Sequence, residues 1–216
     1  MNLVFIRTGL TNACYYKFMH QPPDRKTKRI RGFDYSESGS YFITICTNES
    51  KHYFGKIESR RMILNAPGCM IYDVWRKMSK QFCEFVPQEF IVMPNHIHGI
   101  IEIRKNIIKQ SEHSTVGTHT CDRPYPLGNS SSTDEHKVHP YGTRRGSLGR
   151  MVQAFKSQTT LEYIRNVKAN SWRSFPGKLW QSNYYEHIIR DENDYGKIAG
   201  YIINNPLQWD MDENNR

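Results

Sequence analysis

Residues 89–103 constrain this chain more than any other stretch of similar length. Glu89-Phe90-Ile91-Val92-Met93 is a run of β-branched and aromatic residues, Pro94-Asn95 is turn-forming, and 97–103 is a second apolar run, so the stretch reads as two strands joined by a tight turn. His96 and His98 stand where the second strand begins. Side chains at i and i+2 of a strand project from one face, so the two imidazoles point together, close to a turn where a substrate can reach them. Two parallel imidazoles are half of a divalent-metal site. Taken alone the pair suits a surface or cross-strand contact better than a metal site; its place beside the turn is what favours a site.

The flanking sequence supplies further elements. Ser40-Tyr41-Phe42-Ile43-Thr44-Ile45-Cys46-Thr47 predicts a first strand, and Asn48-Glu49-Ser50 predicts a hairpin turning into Tyr53-Phe54, with another short strand at Arg61–Leu64. Pro67 suits a first helical position, and Ile71, Val74, Trp75, Met78 and Phe82 recur at helical spacing. Ser147 is a plausible N-cap for a helix that places Leu148, Met151, Val152 and Phe155 on one face and Arg150 and Lys156 on others. The two cations suit solvation of the helix or contact with phosphate. Residues 180–190 read as extended, Asp191 as the cap of a closing helix with Asp194 standing in for a capping-box Glu, and Pro206 as its stop. Strands and helices alternate without a long run of parallel β-α-β units, which predicts an α+β domain, an antiparallel sheet covered by helices.

Within 216 residues we expect one catalytic domain at 28–209, a loose basic arm at 1–27 and a tail at 210–216. Met19 is an alternative start for the native chain. About 109–146 mixes Ser, Thr, Asn, Gly, Pro and His without apolar periodicity, as expected of a flexible insertion, and we assign no function to its histidines, His113, His119, His136 and His139. Thirty Lys and Arg against twenty-one Asp and Glu give a net charge of +9, which points to a polyanion partner, nucleic acid first and an anionic membrane second. Five cysteines without a C-x-x-C pair argue against a zinc knuckle or a disulfide framework and fit a reducing cytosol. Leu3-Val4-Phe5-Ile6 is too brief for a signal-peptide core and no stretch has the length of a membrane span, so a cytoplasmic protein is expected.

Near the C-terminus, Tyr195, Ile198, Ala199 and Ile202 form the apolar stripe of the closing helix, and Tyr201 falls on its flank, about 110° from the stripe's centre. Asn205 follows Tyr201 by one turn; before Pro206 it also makes an ordinary helix terminator. The motifs Met93-Pro94-Asn95-His96-Ile97-His98-Gly99-Ile100-Ile101 and Trp180-Gln181-Ser182-Asn183-Tyr184-Tyr185-Glu186-His187-Ile188-Ile189-Arg190-Asp191, the latter leading to Tyr201-Ile202-Ile203-Asn204-Asn205-Pro206, resemble in this order the single-tyrosine HUH transposases, in particular their REP-associated branch. The resemblance covers roughly residues 28–209.

What it implies is a ferredoxin-like or RRM-like core and a metal-dependent endonuclease and strand transferase. The expected substrate is single-stranded DNA containing hairpins, cut through a 5′-phosphotyrosine on Tyr201. His96 and His98 would hold the ion, Mg2+ or Mn2+, with Asn205 as a third, oxygen ligand; nitrogen donors suit manganese better than magnesium. A phenol is mostly neutral at pH 7, so such a nucleophile needs the field of an ion or a nearby base. If the histidines ligate as neutral imidazoles, activity should fall as pH drops through about 6.5. Tyr184 and Tyr185 are rival nucleophiles by type, placed in a strand where packing or base stacking is the simpler role. Arg150, Lys156 and His187 are candidate DNA contacts, although His187 equally fits a structural role. Glu102 shares the face of His98 but lies about 13 Å along the strand, too far for the same ion. Two other classes fit the composition: a non-catalytic nucleic-acid-binding module with an RRM-like sheet, and a small zinc hydrolase built on the two histidines.

Overall fold

The computed structural model describes residues 33–105 and 146–215. The expected arm at 1–27 and the insertion up to residue 145 lie outside the described residues. In chain order the elements are β1 (Gly39–Cys46), β2 (Gly55–Glu58), β3 (Arg61–Leu64), α1 (Ala66–Gln81), β4 (Phe85–Val92), β5 (His96–Ile103), α2 (Leu148–Asn170), β6 (Tyr185–Ile189) and α3 (Glu192–Asn204), followed by a 3-10 stretch at Asn205–Met211.

Four strands form one sheet in the order β4-β5-β1-β6, all neighbours antiparallel. Helix α1 connects β1 to β4 with β5 between them, and α2 connects β5 to β6 with β1 between them. This is the interleaved split β-α-β arrangement of ferredoxin-like folds, and the α+β expectation holds.

The register sorts side chains between two faces. Tyr41, Ile43 and Ile45 of β1 lie opposite Ile101, Gly99 and Ile97 of β5, and all the apolar side chains among them are buried on the helix-covered face. Trp75 of α1 covers Gly99 there, stacking on Phe90 with ring centroids 4.2 Å apart and meeting Phe155 of α2 edge-on at 5.7 Å. The other face carries Phe42, Thr44, His96 and His98, with Tyr185 and His187 from β6 in the same rows. Burying one face under α1 and α2 is what turns the two histidines, by alternation, toward the opposite face.

One local expectation needs correction. Strand β1 does not turn into a hairpin through Tyr53-Phe54: the amides of both residues donate to the Pro94 carbonyl, at 2.9 and 3.1 Å, tying that segment to the β4-β5 turn. Strand β2 pairs with β3 instead, across a Ser59-Arg60 turn with both residues in the left-handed region. Pro206 does stop the closing helix, whose last residue is Asn204. It lacks an N–H and so ends α3, but it is tolerated in the first turn of the 3-10 stretch that follows. Packing therefore continues beyond residue 209, and Asp212, assigned by sequence to the tail, is buried.

The caps follow the sequence. Asn65, Ser147 and Asp191 each accept a hydrogen bond from the backbone amide three residues on, at 2.9, 3.3 and 2.8 Å. Asp194 does not close a capping box; its carboxylate accepts from the Arg190 amide and from His187 instead. Among the described residues no helix is long and apolar enough to cross a membrane.

Candidate active site

His96 and His98 are fully buried at the start of β5, their Nε2 atoms 3.0 Å apart. Each ring is held from its other nitrogen. The Asn95 amide nitrogen donates to the carbonyls of Ser50 and Asn214, so Asn95 Oδ1 is the acceptor toward His96 Nδ1 at 2.8 Å. His96 therefore carries its proton on Nδ1 and turns a lone pair on Nε2 toward His98. Nδ1 of His98 is engaged by Thr44 Oγ1 at 2.8 Å, across the strand pair, which leaves Nε2 as that ring's inward nitrogen. Burial is the main cause that holds the His96 imidazole down at about 4, against a smaller opposing pull from Asp212. Trp209 of the 3-10 stretch stacks over His96, with centroids 6.1 Å apart and planes 22° apart.

Helix α3 lies on this face and brings Tyr201 to the pair. The Tyr201 hydroxyl is 3.3 Å from His98 Nε2, and its ring meets Phe42 edge-on at 6.2 Å. Asn205 is buried, and its Oδ1 has no hydrogen-bond partner. A second polar group reaches the histidines, one that sequence reasoning had not singled out: Asp212 places Oδ2 3.6 Å from His96 Nε2, and one ligand atom each of His96, His98 and Asp212 lie within 4.8 Å of one another. No spacing signal marks Asp212, since Asp210-Met211-Asp212-Glu213 reads as a solvated acidic tail.

The donor set fits a divalent ion. Two inward nitrogens 3.0 Å apart match two ligands at about 2.1 Å and a right angle, and the buried Asp212 Oδ2 beside them lacks any hydrogen-bond donor, as does the buried Asn205 Oδ1.

The other expected site residues lie apart from this cluster. Arg150 is exposed in the first turn of α2, in the helix layer across the sheet. Lys156 Nζ donates to the carbonyls of Gln181, Ser182 and Asn183 at 2.9, 3.2 and 3.0 Å, spending its three N–H donors on the loop that leads into β6. His187 pairs with Asp194 at 2.9 Å. Tyr185 shares the histidine face, two strands from His98 and so about 10 Å away, and Tyr184 lies under the Lys156 ammonium at 5.5 Å. Glu102 is engaged by Arg104 and Gln88, away from the pair.

No protein-family model matches the chain. A Haemophilus influenzae protein described as "Uncharacterized protein" is 33% identical over 189 residues, covering 88% of this chain and 92% of that protein. A second protein of the same organism, "Putative REP-associated tyrosine transposase", is 21% identical over 179 residues, 81% of this chain and 74% of that protein. The chain belongs to one family with the first of these two proteins. Among solved structures it is similar to "Structure of the REP associates tyrosine transposase bound to a REP hairpin", at 16% identity and a TM-score of 0.45, covering 84% of this chain and 73% of that one. A "putative transposase" from Deinococcus radiodurans R1 is similar at 16% identity and a TM-score of 0.39, over 82% of this chain and 96% of that one.

Proposed function

We propose that this chain is a REP-associated tyrosine transposase-like protein, a divalent-metal-dependent endonuclease and strand transferase for single-stranded DNA, with Tyr201 as nucleophile. One observation carries it: the Tyr201 hydroxyl stands 3.3 Å from an imidazole nitrogen that is itself 3.0 Å from a second. His96 and His98 would hold the ion through Nε2, with Asn205 Oδ1 as the oxygen donor implied by its place one turn after Tyr201. When bound, the ion supplies charge neutralisation at a scissile phosphate. Nitrogen ligands favour Mn2+ over Mg2+.

The chain's own residues do the rest. Asn95 and Thr44 fix the ring orientations, and Phe42 limits rotation of the Tyr201 ring so that its hydroxyl stays on the histidine side. Tyr201 Oη attacks phosphorus and gives up its proton, the bond from phosphorus to the 3′-oxygen breaks, and that oxygen leaves as a 3′-hydroxyl. A 5′-phosphotyrosine remains. The phosphoester bond is exchanged rather than hydrolysed, so a later 3′-hydroxyl can rejoin the strand without a nucleotide cofactor. The charge of +9 supports a polyanionic partner, and we take that partner to be hairpin-containing single-stranded DNA met in the cytoplasm.

The test is incubation of the full chain with labelled single-stranded oligonucleotides, with and without hairpins, in Mn2+ or chelator, followed by denaturing electrophoresis. Wild type should give a protein–DNA adduct that Tyr201→Phe loses while still binding DNA. An adduct retained by the variant rejects Tyr201 as nucleophile. Cleavage with no adduct at any time favours a hydrolase, and binding without cleavage favours a non-catalytic module.

A further inference from the structure

We infer that Asp212 is the carboxylate ligand of the ion held by His96 and His98, delivered by the segment that directly follows the nucleophile's helix; the inference rests on the metal-dependent reading above. Its carboxylate is aimed. Oδ1 accepts from the Asn214 amide at 2.8 Å and from Asn214 Nδ2 at 3.0 Å, which fixes the group and turns Oδ2 toward His96. Asn214 is tied in turn to the histidine shell, its carbonyl accepting from Asn95 and its Oδ1 from the Cys46 thiol at 3.3 Å. The amide of Asn95 thus steadies both His96 and the segment that carries Asp212.

The carboxylate has little reason to be buried without an ion. Its side chain is 2% exposed, Oδ2 has no hydrogen-bond donor, and among the described residues no lysine or arginine pairs with it. A buried carboxylate is costly unless a cation or a full set of donors compensates it. A divalent ion shared with two neutral imidazoles supplies that cation, and two nitrogens plus a carboxylate oxygen form a common donor set for first-row divalent ions. The competing account is a structural ion pair, with Asp212 compensated by a protonated His96.

The two accounts separate by measuring Mn2+ binding to the full chain by calorimetry, together with thermal unfolding of the metal-free and Mn2+-loaded protein. Asp212→Asn keeps the shape and the acceptor for Asn214; Asn205→Ala and His96→Ala serve as comparators. If Asp212 is a ligand, wild type should gain Mn2+-dependent protection of residues 205–215 from proteolysis, and Asp212→Asn should lose that protection, weaken Mn2+ binding at least tenfold, and leave the metal-free melting temperature equal or higher. Unchanged Mn2+ affinity in Asp212→Asn overturns the assignment. A metal-free variant that melts lower or fails to fold also overturns it, because the fold then needs the carboxylate without an ion. If wild type takes up no Mn2+ at all, the metal-dependent reading falls together with this one; wild-type binding with an unaffected Asp212→Asn removes only the ligand assignment.

Discussion

Replacing Asn95 by Ala should damage stability and metal affinity together, because one buried amide serves both. Asn95 is 1% exposed. Its Oδ1 accepts from His96 Nδ1, and its Nδ2 donates to the Ser50 and Asn214 carbonyls. The substitution leaves the His96 N–H buried without an acceptor, at about 1–3 kcal/mol, and removes two donors to carbonyls at about 1 kcal/mol each, so a loss of about 4 kcal/mol is expected. That is a large share of the roughly 5–15 kcal/mol available to a domain, yet it leaves the protein folded. The freed His96 ring no longer has its tautomer set, and Mn2+ affinity should fall about 10–100-fold, the usual consequence of losing the group that orients a metal-ligating histidine. Urea unfolding of metal-free protein reads the first effect and calorimetric Mn2+ titration the second. Asn95→Asp separates them: it retains an acceptor toward His96 and loses both donors, so stability should fall while affinity is largely kept. Asn95→Ala with unchanged affinity and stability within about 0.5 kcal/mol of wild type would refute the clamp.

Two further perturbations follow from the same geometry. Burial holds the folded-state His96 at about 4 against an ordinary 6.5, so between those values the unfolded chain binds more protons, stability rises with pH, and up to about 3 kcal/mol is lost as pH falls through that window; urea unfolding of metal-free protein at pH 7, 5.5 and 4.5 measures it, and His96→Gln should flatten the slope. The acid limb of activity should accordingly lie below the 6.5 expected from an unperturbed histidine. Gly99→Ala would set a Cβ 2.8 Å from the Trp75 ring and 3.0 Å from Phe90, an overpacking worth about 1–3 kcal/mol; thermal unfolding should show a drop that Trp75→Leu in the same chain partly restores, and an undiminished melting temperature would contradict the close approach.

Local sequence determined the elements and the direction in which the histidines point. The alternation through 97–103, with Ile97, Gly99 and Ile101 on one face and His96 and His98 on the other, is a period-two property legible in any strand. Ser147 and Asp191 are likewise legible caps, since a side-chain oxygen satisfies an amide only three residues away. The helical flank of Tyr201 follows from 3.6 residues per turn. Other features were set by distant partners. Tyr53-Phe54 is β-prone, but its amides found the Pro94 carbonyl forty residues on, so β2 paired with β3. Lys156 reads as an exposed cation and is spent on three carbonyls of a loop more than twenty residues away.

The site divides in the same way. Its nitrogens and its hydroxyl carry spacing and motif signals, whereas Asp212 carries none, because a carboxylate in an acidic tail looks solvated until its surroundings are known. Only the packing of the 3-10 stretch, with Trp209 over His96 and Asn214 joined to Asn95, buries it beside the pair. Periodicity and capping act over a few residues and are written in order along the chain. The meeting of β5, α3 and the C-terminal segment spans more than a hundred residues, and is decided by which apolar faces must be buried together.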